Sequence, residues 1–305
     1  MTTTTTSFRK YVSIPAAWIL LVLAISSLPD DCRAYKKDSI FHAVSRHGKA
    51  KASKPVLPGP WKKAHATFYD GSPSSFGGAC DFKDVVQEGY GMNTAALSGA
   101  LFKGGEACGA CFELKCVDNP QFCRLGHPTL HVTATDHCPP NPSLPNDNGG
   151  WCNPPLEHFD IAHPAFGQLA EEKSGIIPVE YRRVPCQKRG GIRFTILGNP
   201  WFIQVIVTNV AGAGDVKSVM VKGDKVPWTR MERDWGETWK TGVHELGKSL
   251  SFRVKASDGR YMTSMHVVPS DWQFGQTFEG RNFKTGRRSR RFKSGGKRRK
   301  DVGQL

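Results

Sequence analysis

Between Gly150 and Asp160 the chain reads Gly-Trp-Cys-Asn-Pro-Pro-Leu-Glu-His-Phe-Asp, which sets Asp160 behind the rings of Trp151 and Phe159 and near Cys152. A carboxylate held against apolar rings has its charged form desolvated, so its pKa rises and it can donate a proton at mildly acidic pH. Asp160 is therefore the leading functional residue. His158 either orients the same site or is a structural histidine at a strand or loop end.

The apolar residues Ile161, Ala165, Phe166, Leu169 and Ala170 recur at helical spacing and predict a short helix over 160–173. Asp160 could then cap that helix, accepting backbone N–H bonds that would lower its pKa. Upstream, short β-prone runs (Ala66–Tyr69, Leu130–Thr135) alternate with dense Gly and Pro, the texture of strands joined by tight turns. Downstream, strand-length runs at 192–196, 202–207, 216–221 and 250–254 read as a small β-sandwich.

Arg9 and Lys10 precede an apolar run from Ile14 to Ile25 and the small Ser26 and Ser27, the order of a secretory signal peptide. The run is short for a bilayer span, and no later segment is apolar for long enough to cross a membrane. The chain holds nine cysteines. With Cys32 set aside in a basic, pro-like stretch, eight remain between Cys80 and Cys186, an even set confined to one domain, and in an exported protein they read as disulfides. Cys108-Gly109-Ala110-Cys111 is not read as a zinc or redox pair, because no second matching pair follows.

These shifts divide the 305 residues into a signal peptide (1–27), a basic Pro-rich linker (28–63), a disulfide-rich domain (64–187), a cysteine-free domain (192–283) and a basic tail (284–305).

The motifs Ala66-Thr67-Phe68-Tyr69, Gly77-Gly78-Ala79-Cys80, Asn93–Ser98, Cys108–Glu113, Cys138-Pro139-Pro140-Asn141, His158-Phe159-Asp160, Tyr181–Cys186, Val210–Asp215 and Trp272–Phe278 occur in order across both halves. Together they resemble the plant α-expansins. The resemblance implies an all-β protein, a six-stranded double-psi β-barrel followed by an immunoglobulin-like β-sandwich that binds polysaccharide. It implies secretion to the plant cell wall and wall loosening without hydrolysis, by disrupting non-covalent contacts between cellulose and matrix glucans. It also implies the pairs Cys80–Cys108, Cys111–Cys186 and Cys116–Cys123, leaving Cys138 with Cys152. No cofactor or metal is expected, and a monomer is.

By the same resemblance the barrel groove is similar to that of inverting endoglucanases, with Asp160 at the proton donor and Thr67 and Tyr69 lining the groove. Inverting hydrolysis needs a second carboxyl group about 6.5–9.5 Å away, which expansins lack. Two residues depart from the α-expansin pattern. Asp136 stands where asparagine is usual and becomes a candidate groove carboxylate, although it could instead brace a loop. Asp70 stands near the place of an endoglucanase base, although Asp70-Gly71 also reads as a turn pair.

Sugar rings present flat C–H faces that stack on aromatic side chains. Trp201 and Trp235 match the flat aromatic surface of expansins. Trp239 extends that surface or sits in the core, Phe68 continues the line on the barrel, and Trp228 and Trp272 read as core.

A formal net charge of +15, much of it after Arg281, suits a polyanion such as pectin. Export and disulfides outweigh the nucleic-acid reading of its Arg/Lys runs, and membrane association is at most peripheral. Two rival functions remain, an endoglucanase and a purely carbohydrate-binding or defence protein.

Overall fold

A computed structural model describes residues 56–224, 226–242 and 246–285. The signal peptide, Cys32, most of the Pro-rich linker and nearly all of the basic tail lie outside the described residues.

Strands β1 (Lys62–Tyr69), β2 (Thr94–Ser98), β3 (Cys111–Cys116), β4 (Thr129–Cys138), β5 (His158–Ala162) and β6 (Ile177–Arg183) close into a barrel in the order β1-β5-β2-β4-β3-β6. The pairs β1–β5 and β2–β4 are parallel, and the remaining neighbours are antiparallel. All five residues of β2, Thr-Ala-Ala-Leu-Ser, are buried. Their small side chains let neighbouring strands close over both faces. Phe112, Phe159 and Tyr181 fill the interior with edge-on and tilted ring contacts at 4.9–6.0 Å.

Disulfides join Cys80 to Cys108, Cys111 to Cys186, Cys116 to Cys123 and Cys138 to Cys152. Each such link typically contributes about 2–4 kcal/mol by restricting the unfolded chain. That suits a barrel whose connections are long and rich in turns.

The expected helix over 160–173 is not continuous. Asp160 lies inside β5, and only His163–Phe166 (α2) is α-helical, followed by a turn and a 3-10 turn at Glu172–Ser174. The N-cap of α2 is Ala162, so Asp160 caps nothing. Ile161, Ala165, Phe166, Leu169 and Ala170 are all fully buried. The apolar spacing thus marks the buried side of a strand and two turns.

The second half packs two antiparallel sheets. One holds β9 (Val216–Lys222), β10 (Thr229–Arg230), β13 (Leu250–Ala256) and β14 (Tyr261–Val268) in the order β10-β9-β13-β14. The other holds β7 (Arg193–Asn199), β8 (Phe202–Thr208), β11 (Glu232–Trp235), β12 (Thr238–Thr241) and β15 (Thr277–Glu279) in the order β11-β12-β8-β7-β15. Phe194 of one sheet stacks on Phe252 of the other at 4.7 Å, and Trp239, Trp272 and Phe283 complete the core. Trp228 is half-buried under the Arg253 guanidinium, 4.4 Å from its ring.

Barrel and sandwich meet through backbone. Cys186 and Gly212 exchange hydrogen bonds of 2.7 and 3.0 Å, and the Glu237 N–H donates to the Cys80 carbonyl at 3.1 Å. Gly236 (φ +50°) lies against Cys80 so closely that a Cβ there would stand 2.7 Å from its backbone. Only glycine fits both that conformation and that contact.

Candidate functional site

Strand register builds the site. Asp160 of β5 is opposite Thr67 of β1 on one side and Ala96 of β2 on the other, and Ala96 is in turn opposite Asp136 of β4. Residues directly opposite in adjacent strands share a face. Thr67, Asp160, Ala96 and Asp136 therefore form one row across four strands, with the smallest side chain between the two carboxylates. Two strand spacings put the aspartate Cα atoms about 9–10 Å apart.

The Thr67 hydroxyl donates to Asp160 Oδ1 at 2.7 Å and lies 2.8 Å from His158 Nε2. A hydroxyl carries one proton, so His158 must donate from Nε2 to Thr67. Burial agrees with this neutral tautomer, since it lowers the His158 pKa to about 4. His158 is 1% exposed, and its backbone N–H donates to Ser98 Oγ. It is covered by protein and reaches the row through its bond to Thr67. Burial also raises the pKa of Asp160, against the Thr67 bond and with help from Asp136. Because Oδ1 accepts from Thr67, Oδ2 is the oxygen left to carry an exchangeable proton.

Asp136 is half-buried, and burial raises its pKa as well. Its Oδ1 accepts the backbone N–H groups of Ala79 at 2.7 Å and His137 at 2.8 Å. Both aspartates act on Tyr69, whose pKa is raised chiefly by burial. The Tyr69 hydroxyl is buried with no hydrogen-bond partner among the described residues, while its ring packs edge-on against Phe76.

Asp70 is turned to His163, 2.6 Å from Nδ1. Phe68 is half-buried, with its ring stacked 4.7 Å from His163 and tilted onto Phe166. One face of that ring is thereby covered by protein.

On the sandwich, Trp201 (75% exposed) precedes β8 and Trp235 (53%) ends β11, both on the five-stranded sheet. Between them Gln204 and Lys240 bond to Asp234 at 2.9 and 2.6 Å on the outer face. Trp239 does not extend this surface. The hairpin reverses at Gly236-Glu237, Trp239 falls opposite Arg233, and strand alternation turns its ring inward, where it is 3% exposed.

Trp235 is adjacent to Gly236, which packs on Cys80, and the neighbouring Ala79 N–H holds Asp136. The aromatic face thus begins beside the loop that anchors the groove carboxylate. Sequence reasoning passes over the residue at this seam. Glu237 is 1% exposed and bonded to Trp239 Nε1 (3.1 Å) and Arg233 (3.3 Å), yet burial outweighs both and pushes its pKa up to about 8. Its one sequence signal is its place beside the glycine of a tight hairpin.

Among the described residues no cluster of His, Cys, Asp and Glu could hold a metal, and no helix is long and apolar enough to cross a membrane.

Residues 192–269 match the family described as Expansin C-terminal domain, and 94–181 the one described as Lytic transglycolase. The chain is 56% identical over 241 residues to Expansin-A32 of Oryza sativa subsp. japonica, covering 78% of this chain and 87% of that protein. It is 46% identical over 227 residues to Expansin-A25 of Arabidopsis thaliana, covering 74% and 81%. The crystal structure of apo-Clavibacter michiganensis expansin superimposes with a TM-score of 0.58 at 19% identity, over 75% of this chain and all of that one, and so shares the fold. With closed barrel, sandwich, disulfides and relatives in agreement, the chain belongs to the expansin family.

Proposed function

We propose that this expansin loosens the plant cell wall without hydrolysis, gripping cellulose on the Trp201–Trp235 face and perturbing a glucan chain over the Thr67–Asp160–Asp136 row. The observation that carries this reading is the short link between the two faces. Trp235 precedes Gly236, which packs on Cys80, and the N–H of the neighbouring Ala79 holds Asp136, so the aromatic sheet is tied directly to the groove row. An expansin of the same fold, a point mutant from Clavibacter michiganensis, was solved in complex with cellohexaose. The protein acts outside the cell, with cellulose and matrix glucans as partners.

Within the groove, Asp160 supplies a proton or strong hydrogen-bond donor from Oδ2 to sugar oxygens. That donor competes with a glucan–glucan hydrogen bond. The row also gives endoglucanase action its best argument, because Asp136 stands across Ala96 from Asp160. Against it, two backbone N–H groups hold Asp136 Oδ1 as a brace, and burial disfavours the ionised form that a general base requires.

The test is constant-load extension of heat-inactivated wall strips at acidic pH, with soluble sugars assayed in the same bath. Extension without sugar release is expected. Reducing ends that accumulate beyond the protein present, and disappear in Asp136→Asn, would make Asp136 a general base.

A further inference from the structure

Away from the groove, at the end of the barrel where the chain leaves for the sandwich, a cavity of about 210 Å³ opens beside Lys188. Its lining includes Tyr90, Asn93, His131, Thr133 and Gln187, and no carboxylate. The Lys188 ammonium stands 4.1 Å over the Tyr90 ring and makes one long hydrogen bond, 3.3 Å, to Thr133 Oγ1. An ammonium has three donors, and withdrawing even part of one from water costs free energy unless an anion answers it. The nearest acid on the neighbouring strand, Glu113, is 3.4 Å from His131 and already paired with Arg182 at 2.6 Å. Asn93 Oδ1 is occupied by Gln168, which leaves its NH₂ group to donate. The cavity thus offers one full positive charge, several neutral hydrogen-bond groups and roughly seven waters' worth of room. A phosphate dianion calls for more cations than that, whereas a singly charged carboxylate on a hydroxyl-bearing ring matches it.

We propose that the Lys188 cavity is a binding site for one uronate residue, the carboxylate-bearing sugar of acidic wall polysaccharides. This rests on the reading of the protein as a wall protein, but not on the groove or on the aromatic sheet. The site would hold the expansin on the acidic matrix while the sandwich holds cellulose, and the overall positive charge would steer the approach. Burial pushes the Lys188 pKa down to about 7, so the cation is fully formed at the pH of an acidic wall and fades above it. Tyr90 and His131 also titrate in the site, with Glu113 behind His131 and with Glu88, Glu237 and Arg193 acting on Tyr90.

The experiment is isothermal titration of the full chain with galacturonic acid and with galactose at pH 5.5 and 0.15 M salt, where charges beyond about 8 Å are screened. Galacturonate should bind at least tenfold more tightly than galactose, and about tenfold less tightly at pH 8.5 than at pH 5.5. Lys188→Met removes the ammonium but keeps an unbranched side chain, and should bring galacturonate down to the galactose level. Equal galacturonate binding by parent and Lys188→Met, or equal binding of the two sugars, would overturn the site. If Lys188→Met does not fold, reductive methylation of the parent decides, since galacturonate must protect Lys188 and a lack of protection overturns the proposal. Wall extension by the parent is read separately, so failure of this site leaves the wall reading standing and failure of extension does not touch the titration.

Discussion

The groove row on the barrel and the outer face of the five-stranded sheet use the same strand geometry for opposite chemistry. On the barrel, Asp160 and Asp136 are half-buried on strands one apart, the charged form of each disfavoured by burial and that of Asp160 also by Asp136. On the sheet, Trp201 and Trp235 are exposed rings, and the charges between them, Asp234 and Lys240, neutralise one another. The first surface responds to pH and the second has no reason to. The scaffolds differ in the same sense. Four disulfides staple the barrel, whereas the sandwich depends on an aromatic core. Directional chemistry needs a row fixed from several strands at once, while stacking needs only a firm, flat sheet.

The largest expected effect breaks the sheet from within. Trp239→Ala removes a ring packed under the Arg233 guanidinium and bonded to Glu237, and should destabilise the sandwich by about 3–5 kcal/mol. Thermal unfolding checks it. A melting temperature close to the parent's would return Trp239 to the binding surface.

Next in size is the seam. Glu237 has its pKa raised from the ordinary glutamate range near 4.3 to about 8. The folded state therefore holds this proton more tightly than the unfolded state. Its stabilising contribution is complete below about pH 4 and is lost as pH rises towards 8. Between pH 5 and 7.5 the loss should be about 3 kcal/mol, or about 6–12 °C in melting temperature. Glu237→Gln should flatten that slope. An equal slope in parent and variant would mean that Arg233 keeps Glu237 ionised throughout.

Asp160→Asn is expected to cost at least tenfold in extension activity, about 1.4 kcal/mol or more, with cellulose binding near the parent's. Because the active form is the protonated acid, parental extension should rise as pH falls through the raised Asp160 pKa. The asparagine variant should lose that dependence. Parental extension by the variant would leave Asp160 a structural residue and remove the contrast between the two faces.

What the sequence makes legible follows from how local each feature is. The strand runs, the window of eight cysteines and the His158-Phe159-Asp160 motif are local patterns, and motif order carries the fold through resemblance. The misplaced helix is instructive because its apolar spacing marks burial correctly but does not mark one helix. His163-Pro164 and Gly167 confine the helical turn, and the barrel buries Ile161 as part of a strand. Trp239 is ambiguous in sequence because its direction depends on where the hairpin reverses. Glu237 and Lys188 are invisible for a plainer reason. A charged residue becomes buried, as Glu237 is, or half-buried, as Lys188 is, only when distant elements close over it, and neither neighbour in sequence announces that.

The smallest expected effect sharpens the comparison most. Trp201→Ala and Trp235→Ala each remove an exposed ring and should weaken binding to purified cellulose by about 1 kcal/mol, roughly fivefold, through lost stacking. Folding should be unaffected, because neither ring belongs to the sandwich core. Stacking is not ionic, so the loss should be the same at 0.1 M and 1 M salt, although the Debye length falls from about 10 to about 3 Å. It should also be the same at pH 5 and 7.5. Binding isotherms over that grid decide the matter. A tryptophan effect that vanished in salt would make the Asp234–Lys240 charges the true contact, and one that followed pH would mean that sheet and groove hold the polymer as a single site.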